Sequence, residues 1–412
     1  MNRRLREDAE AIIRQAISEV SPAPAVEKAL KDRSFPGRVF LIAAGKAAWK
    51  MACTAARMLG NTLTAGVVIT KCGHVEHAIP RITCYEGGHP IPDEHGLIGT
   101  QAALELTRDL HAEDTVLFLL SGGASALFEK PLIPLEELKD ITNQMLAAGC
   151  SIVEINTVRK RLSAVKGGRF AQWCAPAKVL SIVLSDVLSD PLDMIASGPA
   201  VPDLSTCAQA REIIHRYGIR ISRQAEDCLQ AETPKELENS EALVIGSVRE
   251  LCRAAVDACR RLGYEPILLT DQLCCEAREA GSFLGSILAA HVSDGRKTAW
   301  LAGGETVVHL SENHGLGGRN QEMALAAARG IAGLEHAAVI CVGSDGTDGP
   351  TDAAGGYVDG YTWSALCENG LSWEEMLRCH DAYHALEAAE GLIKTGPTGT
   401  NVNDIAIALL ED

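Results

Sequence analysis

Short apolar runs that end in glycine or serine alternate with helical stretches along most of the chain. In residues 3–20, alanine and isoleucine recur every three or four positions, which predicts an amphipathic helix. Four apolar runs then precede turns, at residues 39–46, 65–70, 115–121 and 178–186. Continuous apolar strands that alternate with helices predict a parallel sheet covered on both faces.

A polar stretch with one proline, at residues 232–241, interrupts this alternation. Apolar runs then resume at residues 242–246, 266–270, 298–304, 338–344 and 405–410. The pattern predicts two α/β domains, an N-terminal domain over residues 1–236 and a C-terminal domain over residues 237–412. Two such domains that face each other would form an active-site cleft, a common place for ligands.

The charge balance is acidic, which narrows the classes of partner. The chain has 412 residues, with 38 Lys and Arg against 54 Asp and Glu, and a net charge of -16. A nucleic-acid-binding protein usually has the opposite sign, and aromatic residues at 4% leave few platforms for stacking bases. We therefore expect small-molecule partners and no nucleic acid. An anionic substrate would need a local group of Lys and Arg side chains.

The fourteen cysteines are scattered and include no C-x-x-C pair. The amino terminus lacks the apolar core of a signal peptide, and no apolar run approaches the roughly 20 residues of a membrane span. These features predict a cytoplasmic protein that does not enter the membrane. They leave the oligomeric state undetermined, with a homo-oligomer as one option.

In the first half, candidate ligand-binding groups follow the strands, where turn amides and helix N-termini favour anions. Lys46 follows the first strand and could meet a phosphate, or could be an ordinary solvated lysine. The turn at residues 121–125 reads Ser-Gly-Gly-Ala-Ser, which fits either phosphate contact or a tight strand-to-helix turn. Asn156 and Lys160 are four residues apart and share a helix face. Asp186 ends a strand, where a carboxylate could accept a hydroxyl proton or hold a metal.

In the second half, Arg319 follows two glycines and begins a helix, so its guanidinium could bind a carboxylate or phosphate at two points. The loop at residues 343–352 contains three aspartates within eight residues. Hard oxygen ligands of this kind suit magnesium that is shared with substrate phosphates, although an acidic turn without a metal is the alternative. The polar loop at residues 395–404, which contains Asn401, is a candidate rim for a ligand.

Taken in order, several segments resemble the glycerate 2-kinase family, whose C-terminal part is called the MOFRL domain. They are GGHPIPD at 87–93, SDVLSDPLDMIASGP at 185–199, GGRNQE at 317–322 and SDGTDGPTDAAG at 344–355. The resemblance implies an N-terminal Rossmann-like α/β/α domain with a parallel sheet, and a C-terminal α/β domain with a mixed sheet. Ala124 and Ser189 stand where the family pattern suggests glycine.

The resemblance also implies an activity: ATP- and Mg²⁺-dependent phosphorylation of D-glycerate at its C2 hydroxyl, which gives 2-phosphoglycerate. Lys46 and Arg319 would contact the transferring phosphoryl group or the glycerate carboxylate, in either order, and Asp186 would be the base. The candidate metal ligands are Glu305, Asp345 and Asp348. The candidates for binding substrate and nucleotide are Ser121, Gly122, Gly123, Ser125, Asn156, Lys160, Asn320 and Asn401.

Two other functions compete with this one. A hydroxypyruvate reductase would need a nicotinamide site, normally G-x-G-x-x-G after a strand, and no candidate strand is followed by that pattern. A non-catalytic phosphosugar-binding regulator would account for the serine-glycine turn but would not need the acidic loop at 345–352. No G-x-x-x-x-G-K-[ST] loop occurs, so a kinase of this sequence would not be of the P-loop class.

Overall fold

A computed structural model of the chain describes residues 1–411 and contains twelve strands and sixteen α-helices in that range. The strands are β1 Val39–Ala44, β2 Leu63–Lys71, β3 Ile82–Gly87, β4 Thr115–Leu120, β5 Lys178–Leu184, β6 Ser240–Gly246, β7 Glu265–Leu273, β8 Thr298–Gly304, β9 Ala337–Gly343, β10 Gly355–Asp359, β11 Leu392–Ile393 and β12 Asp404–Leu410.

The helices lie before or between these strands, singly or in groups, with four between β4 and β5 and three after β10. They are α1 Arg3–Glu19, α2 Pro22–Leu30, α3 Ala48–Leu59, α4 Glu94–Leu106, α5 Ala124–Leu127, α6 Leu135–Ala147, α7 Ile152–Arg161, α8 Arg169–Cys174, α9 Cys207–Arg216, α10 Arg223–Cys228, α11 Val248–Arg261, α12 Ala277–His291, α13 Arg319–Ala327, α14 Thr362–Glu368, α15 Trp373–Arg378 and α16 Ala382–Ala388. Two short 3₁₀ turns lie at Gly60–Thr62 and Ile195–Ser197.

The chain forms two compact units, and the first comprises Pro22–Ile245. Its sheet has six strands in the order β3-β2-β1-β4-β5-β6, and the pairings from β3 to β5 are all parallel. Strands β1 and β4 are buried along their whole length, which explains their continuous apolar sequences. Phe118 packs against Phe128 and Phe170 beneath the sheet, with ring centroids 5.2 and 4.8 Å away. The predicted Rossmann-like parallel sheet is confirmed.

The second unit comprises residues 1–21 together with the chain from residue 246 onward. Its sheet has the order β11-β10-β9-β12-β8-β7 and is mixed, because β7 pairs with β8 in parallel and the other pairings are antiparallel. Helix α13 packs against β9 and β10, and Asn320 to Ala327 are all buried. The predicted mixed sheet is confirmed as well.

The division of the chain differs from the expected boundary at residues 236 and 237. Strand β6 was expected to begin the second domain, but it is the edge strand beside β5 in the first sheet. Helix α1 was expected in the first domain, but its buried face, which includes Leu5, Ile12 and Ile13, belongs to the second unit and packs against α11, β9 and β12. An apolar run indicates a strand but not the sheet in which the strand pairs. The cleft expected between two domains stays a prediction.

All fourteen cysteines are free thiols, and eight of them are exposed or partly exposed. The other six are buried as small apolar side chains, as in the cores beside β5, β9 and α11. Within residues 1–411, no helix is long and apolar enough to cross a membrane.

Candidate active site

The carboxyl ends of β1 and β4 lie side by side where the strand order of the first sheet reverses. In open α/β sheets this switch point is where ligands bind. Gly45 follows β1 with φ 124°, and a Cβ at that position would collide with Ser121. The next backbone N–H, that of Lys46, donates to the Gly122 carbonyl at 2.9 Å. The structure therefore brings the predicted lysine and the predicted Ser-Gly-Gly turn together.

The turn after β4 is shaped for close approach of other groups to its backbone. The Ser121 Oγ is buried and accepts a hydrogen bond from the Ala47 N–H at 3.0 Å, so it joins the turn to the start of α3. A Cβ on Gly122 would collide with the Asp186 carboxylate. Asp186 follows β5, as predicted, and its carboxylate thus lies against this turn. Gly123 has φ 87°, a conformation that favours glycine.

A group of cationic side chains surrounds the turn on the side of Lys46. His89, in the loop after β3, lies close to Gly123 and to the Lys46 stem. Burial lowers the pKa of His89, and the charges of Lys46, Lys71 and His74 lower it further. The His74 Nδ1–H donates to the Lys46 carbonyl at 2.9 Å, which fixes its tautomer. This positive region in an acidic chain suits an anionic ligand.

Ser125 and Asn156, both predicted to bind ligand, are connected through Ser197. The Ser197 Oγ donates to the Asn156 Oδ1 at 3.0 Å and lies 3.4 Å from the Ser125 Oγ. Ser197 is fully buried, and its φ of 61° is a backbone conformation that is rare for serine. Its hydroxyl group therefore contacts Asn156 from inside the protein. Asn156 is itself almost fully buried, and its predicted contact with a ligand stays a prediction.

Lys166 is a buried cation beneath these loops that the sequence reasoning did not assign. Its Nζ donates to the carbonyls of Ser125 at 2.8 Å and of Ala196 at 3.4 Å, and lies 3.5 Å from the buried carboxylate of Glu129. It therefore ties the turn after β4 to the 3₁₀ turn that carries Ser197. Burial lowers the pKa of Lys166 to about 8, although the Glu129 charge opposes that shift.

Lys160 is held by two carboxylates, and its predicted contact with a ligand stays a prediction. It is buried, and its Nζ donates to Asp193 and Asp203, each at 3.2 Å. Asp203 also accepts hydrogen bonds from Ser205 and Thr233. Two carboxylates already accept hydrogen bonds from this buried ammonium, so fewer of its N–H groups remain for a ligand. Because periodicity reports only a shared helix face, it could not distinguish this buried pair from a ligand-facing lysine.

In the second unit, Arg319 is held by two carboxylates at one edge of the mixed sheet. Its Nε donates to Asp404 Oδ2 at 2.5 Å and its Nη2 to Asp404 Oδ1 at 3.2 Å, while its Nη1 donates to Glu305 Oε1 at 3.1 Å. Asn403 Nδ2 donates to the other oxygen of Glu305 at 3.2 Å. Arg319 is thus oriented before any ligand arrives, with its side chain 36% exposed.

Asp348 caps the helix that begins at Arg319. Its buried carboxylate accepts hydrogen bonds from the backbone N–H groups of Asn320 at 3.1 Å and Gln321 at 2.8 Å, and from both of their side-chain amides. Burial raises the pKa of Asp348 to about 6, against the effect of these hydrogen bonds. Both of its oxygens are therefore used within the protein, which does not match the predicted role as a metal ligand. Asn320, predicted to bind ligand, is likewise buried against Asp348.

Asp345 and Asp404 converge beside Gly343 at the end of β9. A Cβ on Gly343 would lie 3.3 Å from Asp345 Oδ1 and 3.4 Å from Asp404 Oδ1. Burial raises the pKa of Asp404, and the hydrogen bonds and charge of Arg319 counteract that rise. Asn401 lies next to this group, where its Oδ1 accepts a hydrogen bond from the Asn403 N–H at 3.4 Å.

A magnesium site fits part of the predicted set. Among residues 1–411, no group of three or more His, Cys, Asp or Glu side chains could hold a metal ion by itself. Magnesium that arrives with nucleotide phosphates needs only one or two protein carboxylates. Asp345 and Glu305 are only partly buried, so an ion could still reach their carboxylates, although Asp345 Oδ1 accepts the Thr347 N–H and the two Glu305 oxygens accept from Arg319 and Asn403. Asp348 is buried as well as fully hydrogen-bonded, so it is less accessible to an ion.

Three residues of these two clusters were not assigned from the sequence: His89, Lys166 and Asp404. His89 lies within GGHPIPD and Asp404 ends the polar loop before β12, so both stood in segments that had been singled out. The sequence signal for His89 was its position after the carboxyl end of β3. The signal for Asp404 was its position at the start of β12, an antiparallel strand. Lys166 had no such signal, because a lysine before two glycines is usually solvated.

Comparison with known proteins connects this geometry to a family. The family described as "Domain of unknown function (DUF4147)" matches residues 8–230, and the MOFRL family matches residues 298–404. D-glycerate 2-kinase from Thermotoga maritima is 48% identical over 405 residues, with 97% of each chain covered. This chain belongs to the glycerate 2-kinase family. The resemblance stated from the motifs is confirmed.

Other members of the glycerate 2-kinase family agree in length and fold. Glycerate 2-kinase from Pyrococcus horikoshii is 39% identical, with 98% of this chain and 97% of that protein covered. The crystal structure of glycerate kinase from Thermotoga maritima matches with a TM-score of 0.97 at 47% identity, covering 99% of this chain and 100% of that one. A protein from Agrobacterium vitis with the provisional name of hydroxypyruvate reductase is 36% identical over 91% of this chain and its own full length.

Proposed function

We propose that this chain is an ATP-dependent D-glycerate 2-kinase, which transfers the γ-phosphoryl group of ATP to the C2 hydroxyl of D-glycerate. The products are 2-phosphoglycerate and ADP. The observation that carries the proposal is the 48% identity, over 97% of both chains, to a D-glycerate 2-kinase. The cationic and glycine-rich groups at the strand ends supply the chemistry that phosphoryl transfer needs, namely positioning and charge stabilisation.

We propose that Lys46 and the turn at Gly122 and Gly123 bind the anionic end of a substrate. Backbone amides at a glycine turn and a lysine at a strand end together favour a phosphate or carboxylate. Asp186 lies against the same turn, within reach of whatever the turn holds. Ser125, Asn156 and Ser197 shape the neighbouring wall through their chain of hydroxyl and amide contacts.

We propose that Arg319 stabilises the negative charge that spreads over the transferred phosphoryl oxygens. A guanidinium has five N–H groups, and Asp404 and Glu305 use three of those on Arg319. One N–H on each terminal nitrogen is left for a ligand, in the planar two-point arrangement that phosphate oxygens accept. Because two carboxylates already orient the group, little reorganisation is needed when charge develops.

Magnesium would enter with the nucleotide, and Asp345 and Glu305 are the residues that we propose would hold it. The bound ion would neutralise phosphate charge. Asp404 is reserved for Arg319 by its bidentate contact, so it is not assigned to the metal. We further propose that the protein works in the cytoplasm, since its fourteen cysteines are all free.

The hydroxypyruvate reductase alternative rests on the name of a 36% identical relative. A reductase of this fold would bind a nicotinamide dinucleotide at the turn after β1, through a glycine-rich fingerprint. Here that turn reads Gly45-Lys46-Ala47, and Ser121 packs against the glycine. The site therefore lacks the glycines that would allow a pyrophosphate to approach the backbone, and the kinase is the better explanation.

A coupled assay with both acids separates the candidates. Purified protein is incubated with D-glycerate and ATP while ADP release is coupled to NADH oxidation, and separately with hydroxypyruvate and NADH without coupling enzymes. We expect ADP release that depends on D-glycerate and no direct NADH oxidation. Direct NADH oxidation with hydroxypyruvate would instead establish the reductase. If neither reaction occurs and a phosphosugar binds in calorimetry, the protein is a regulator.

A further inference from the structure

His89 stands out among the described side chains as an imidazole that faces the glycine turn without a hydrogen-bond partner. A Cβ on Gly123 would lie 2.8 Å from its Cδ2 and 3.0 Å from its Nε2, and 3.4 Å from the Lys46 Cγ. The ring edge with Nε2 thus occupies the space beside Lys46 that a side chain at residue 123 would fill. Within residues 1–411, neither ring nitrogen of His89 takes part in a hydrogen bond.

The loop that carries His89 is built to hold it there. Residues 88–93 connect β3 to α4, and Asp93 caps that helix by accepting the Gly96 N–H at 2.9 Å. A Cβ on Gly88 would lie 3.1 Å from Asp93 Oδ2, so the Asp93 carboxylate lies against the start of the loop. A Cβ on Gly88 would lie 2.7 Å from the Ile91 carbonyl, so the loop is too tight for another residue there. The position of His89 therefore follows from the loop and is not that of a mobile surface side chain.

Burial and neighbouring charges favour the neutral form of His89. Burial is the largest cause of its lowered pKa, and charge interactions with Lys46 after β1, Lys71 at the end of β2 and His74 in the following loop add to it. Asp93 caps α4 within its own loop, and Asp186 lies across the turn against Gly122. A neutral imidazole beside a lysine is a hydrogen-bond acceptor for a hydroxyl group in a site whose other groups attract anions.

We infer that His89 is the general base of the phosphoryl transfer, and that its Nε2 accepts the proton of the D-glycerate C2 hydroxyl. This inference rests on the proposed kinase function. In it, His89 takes the role of base that was predicted for Asp186. Lys46 would hold a substrate anion on the same side of Gly123, which brings the hydroxyl to the imidazole. Asp186, on the Gly122 side of the turn, then orients the site but does not take the proton.

The step balances without a further reactant. The C2 oxygen forms a bond to the γ-phosphorus of ATP as its proton moves to His89 Nε2. The bond from the γ-phosphorus to the bridging oxygen breaks, and that oxygen leaves with the electron pair as part of ADP. His89 is then an imidazolium with one additional proton on Nε2, which it releases to water after the products leave. A positioned base of this kind usually contributes 10² to 10⁴ in rate.

The test compares His89→Gln with two matched variants, His95→Gln on the exposed surface of α4 and Asp186→Asn. We expect His89→Gln to lower kcat about 100-fold or more, with little change in the Kd for ATP. In the wild type, kcat should rise with pH through a pKa below about 6.5, and this acidic limb should vanish in His89→Gln. His95→Gln should behave as the wild type in both measurements.

Two results would overturn the inference. One is a His89→Gln enzyme with full kcat and an intact acidic limb, and the other is loss of that limb in Asp186→Asn alone, which would make Asp186 the base. If His89→Gln does not fold, wild-type enzyme is treated with diethyl pyrocarbonate, and we expect D-glycerate to protect His89 from modification and the enzyme from inactivation. Inactivation without modification of His89 would also refute it. A wild type without D-glycerate-dependent ADP release would instead contradict the kinase function itself.

Discussion

At the scale of single residues, Arg319 and Asp348 differ in what their side chains can do. Arg319 can contact a ligand, whereas Asp348 supports the helix that begins at Arg319. Arg319 begins α13 and extends a guanidinium that Asp404 and Glu305 orient, while Asp348 satisfies the backbone N–H groups just behind it. Both are charged residues next to glycines in motifs of the same family. Only their burial and partners distinguish a side chain that can contact ligand from one that cannot.

Substitution of Arg319 by lysine tests the charge-stabilising role. Lysine keeps the positive charge near Asp404 but cannot make the planar two-point contact with phosphate. We expect Arg319→Lys to lower kcat/KM by about 100-fold, which corresponds to about 3 kcal/mol of transition-state stabilisation. The Tm should change little, because the ammonium still pairs with Asp404. Steady-state kinetics and thermal unfolding check both statements, and wild-type kinetics in the lysine variant would reduce Arg319 to a structural residue.

At the scale of elements, a helix cap and a buried lysine position the two groups of candidate site residues, one around Lys46 and the other around Arg319. Helix α13 is capped by Asp348 from the loop after β9, and the turn after β4 is tied to the turn at Ile195–Ser197 by Lys166. In each case a charged side chain from one loop satisfies backbone groups of another. These contacts determine where the ligand-facing residues lie, although they do not themselves face ligand.

Removal of the Asp348 carboxylate should destabilise the fold. Asp348→Ala leaves the buried N–H groups of Asn320 and Gln321 without acceptors, which we expect to cost about 3 kcal/mol in the free energy of unfolding. Asp352→Ala is the control, because Asp352 lies in the same loop but pairs with Lys394 at the surface and should have little effect. Urea unfolding of both variants measures the difference. Equal stability of the two would show that the cap contributes nothing.

The buried Lys166 predicts a rise in stability with pH. An unfolded lysine binds its proton up to a pKa near 10.5, while burial lowers the pKa of folded Lys166 to about 8. Between those values the unfolded state binds more protons, so stability increases with pH and is lost again as the pH falls through about 8. The comparison protein is Lys166→Met/Glu129→Gln, which removes both buried charges together.

Urea unfolding from about pH 7.5 to about pH 9.5 should show the wild type gaining about 2 kcal/mol relative to that double variant, given the shift of more than two pKa units. The comparison cancels the contribution of the cysteines, because thiols of an unfolded chain have a pKa of about 8.5 in both proteins. A difference that does not change with pH would mean that Lys166 keeps its proton throughout.

At the scale of the whole molecule, an acidic chain concentrates its few functional cations at strand ends. The net charge is -16, yet Lys46 and Lys71 lie near one glycine turn and Arg319 lies at the edge of the other sheet. Such local fields let an acidic protein bind anionic substrates and a metal-bound nucleotide. The acidic surface elsewhere favours solubility and disfavours nucleic acid.

We expect the enzyme to require a divalent metal, which would be a property of the whole molecule. Because Asp345 and Glu305 offer hard oxygen ligands, we expect turnover of D-glycerate to fall to background after exhaustive chelation and to return with Mg²⁺. Thermal unfolding measured in parallel should be unaffected, since no group of three ligating side chains within residues 1–411 depends on a metal. Full activity in the chelated protein would contradict this assignment.

The sequence predicted the nine strands that contain an apolar run and missed the three that do not. Strands β1, β4, β5 and β8 were predicted to within about two residues, because a continuous apolar run is typical of a strand that is buried on both faces. Strand β3 is a half-exposed edge, β10 begins with two glycines and β11 has two residues, so none has an apolar run. The sheet to which β6 belongs depends on tertiary pairing, which a local pattern does not contain.

The candidate site was predictable as a set of turns but not as a set of roles. Lys46, the turn at Gly122 and Gly123, Asp186 and Arg319 all lie at sheet edges, as the strand-end rule predicts. Lys160 and Asp348 looked equivalent to them in sequence, but each is buried against partners that are 27 or more residues away. Identical residue types acquire different roles through such distant contacts.

The position of the transferred phosphate tests the central claim most directly. Purified protein is incubated with ATP, Mg²⁺ and D-glycerate, and the product is identified by ³¹P nuclear magnetic resonance with coupling to the carbon-bound protons. The account predicts a phosphate ester coupled to the single C2 proton, which is 2-phosphoglycerate, with ADP formed in equal amount. An ester coupled to the two C3 protons, or ADP formed without any glycerate ester, would contradict it.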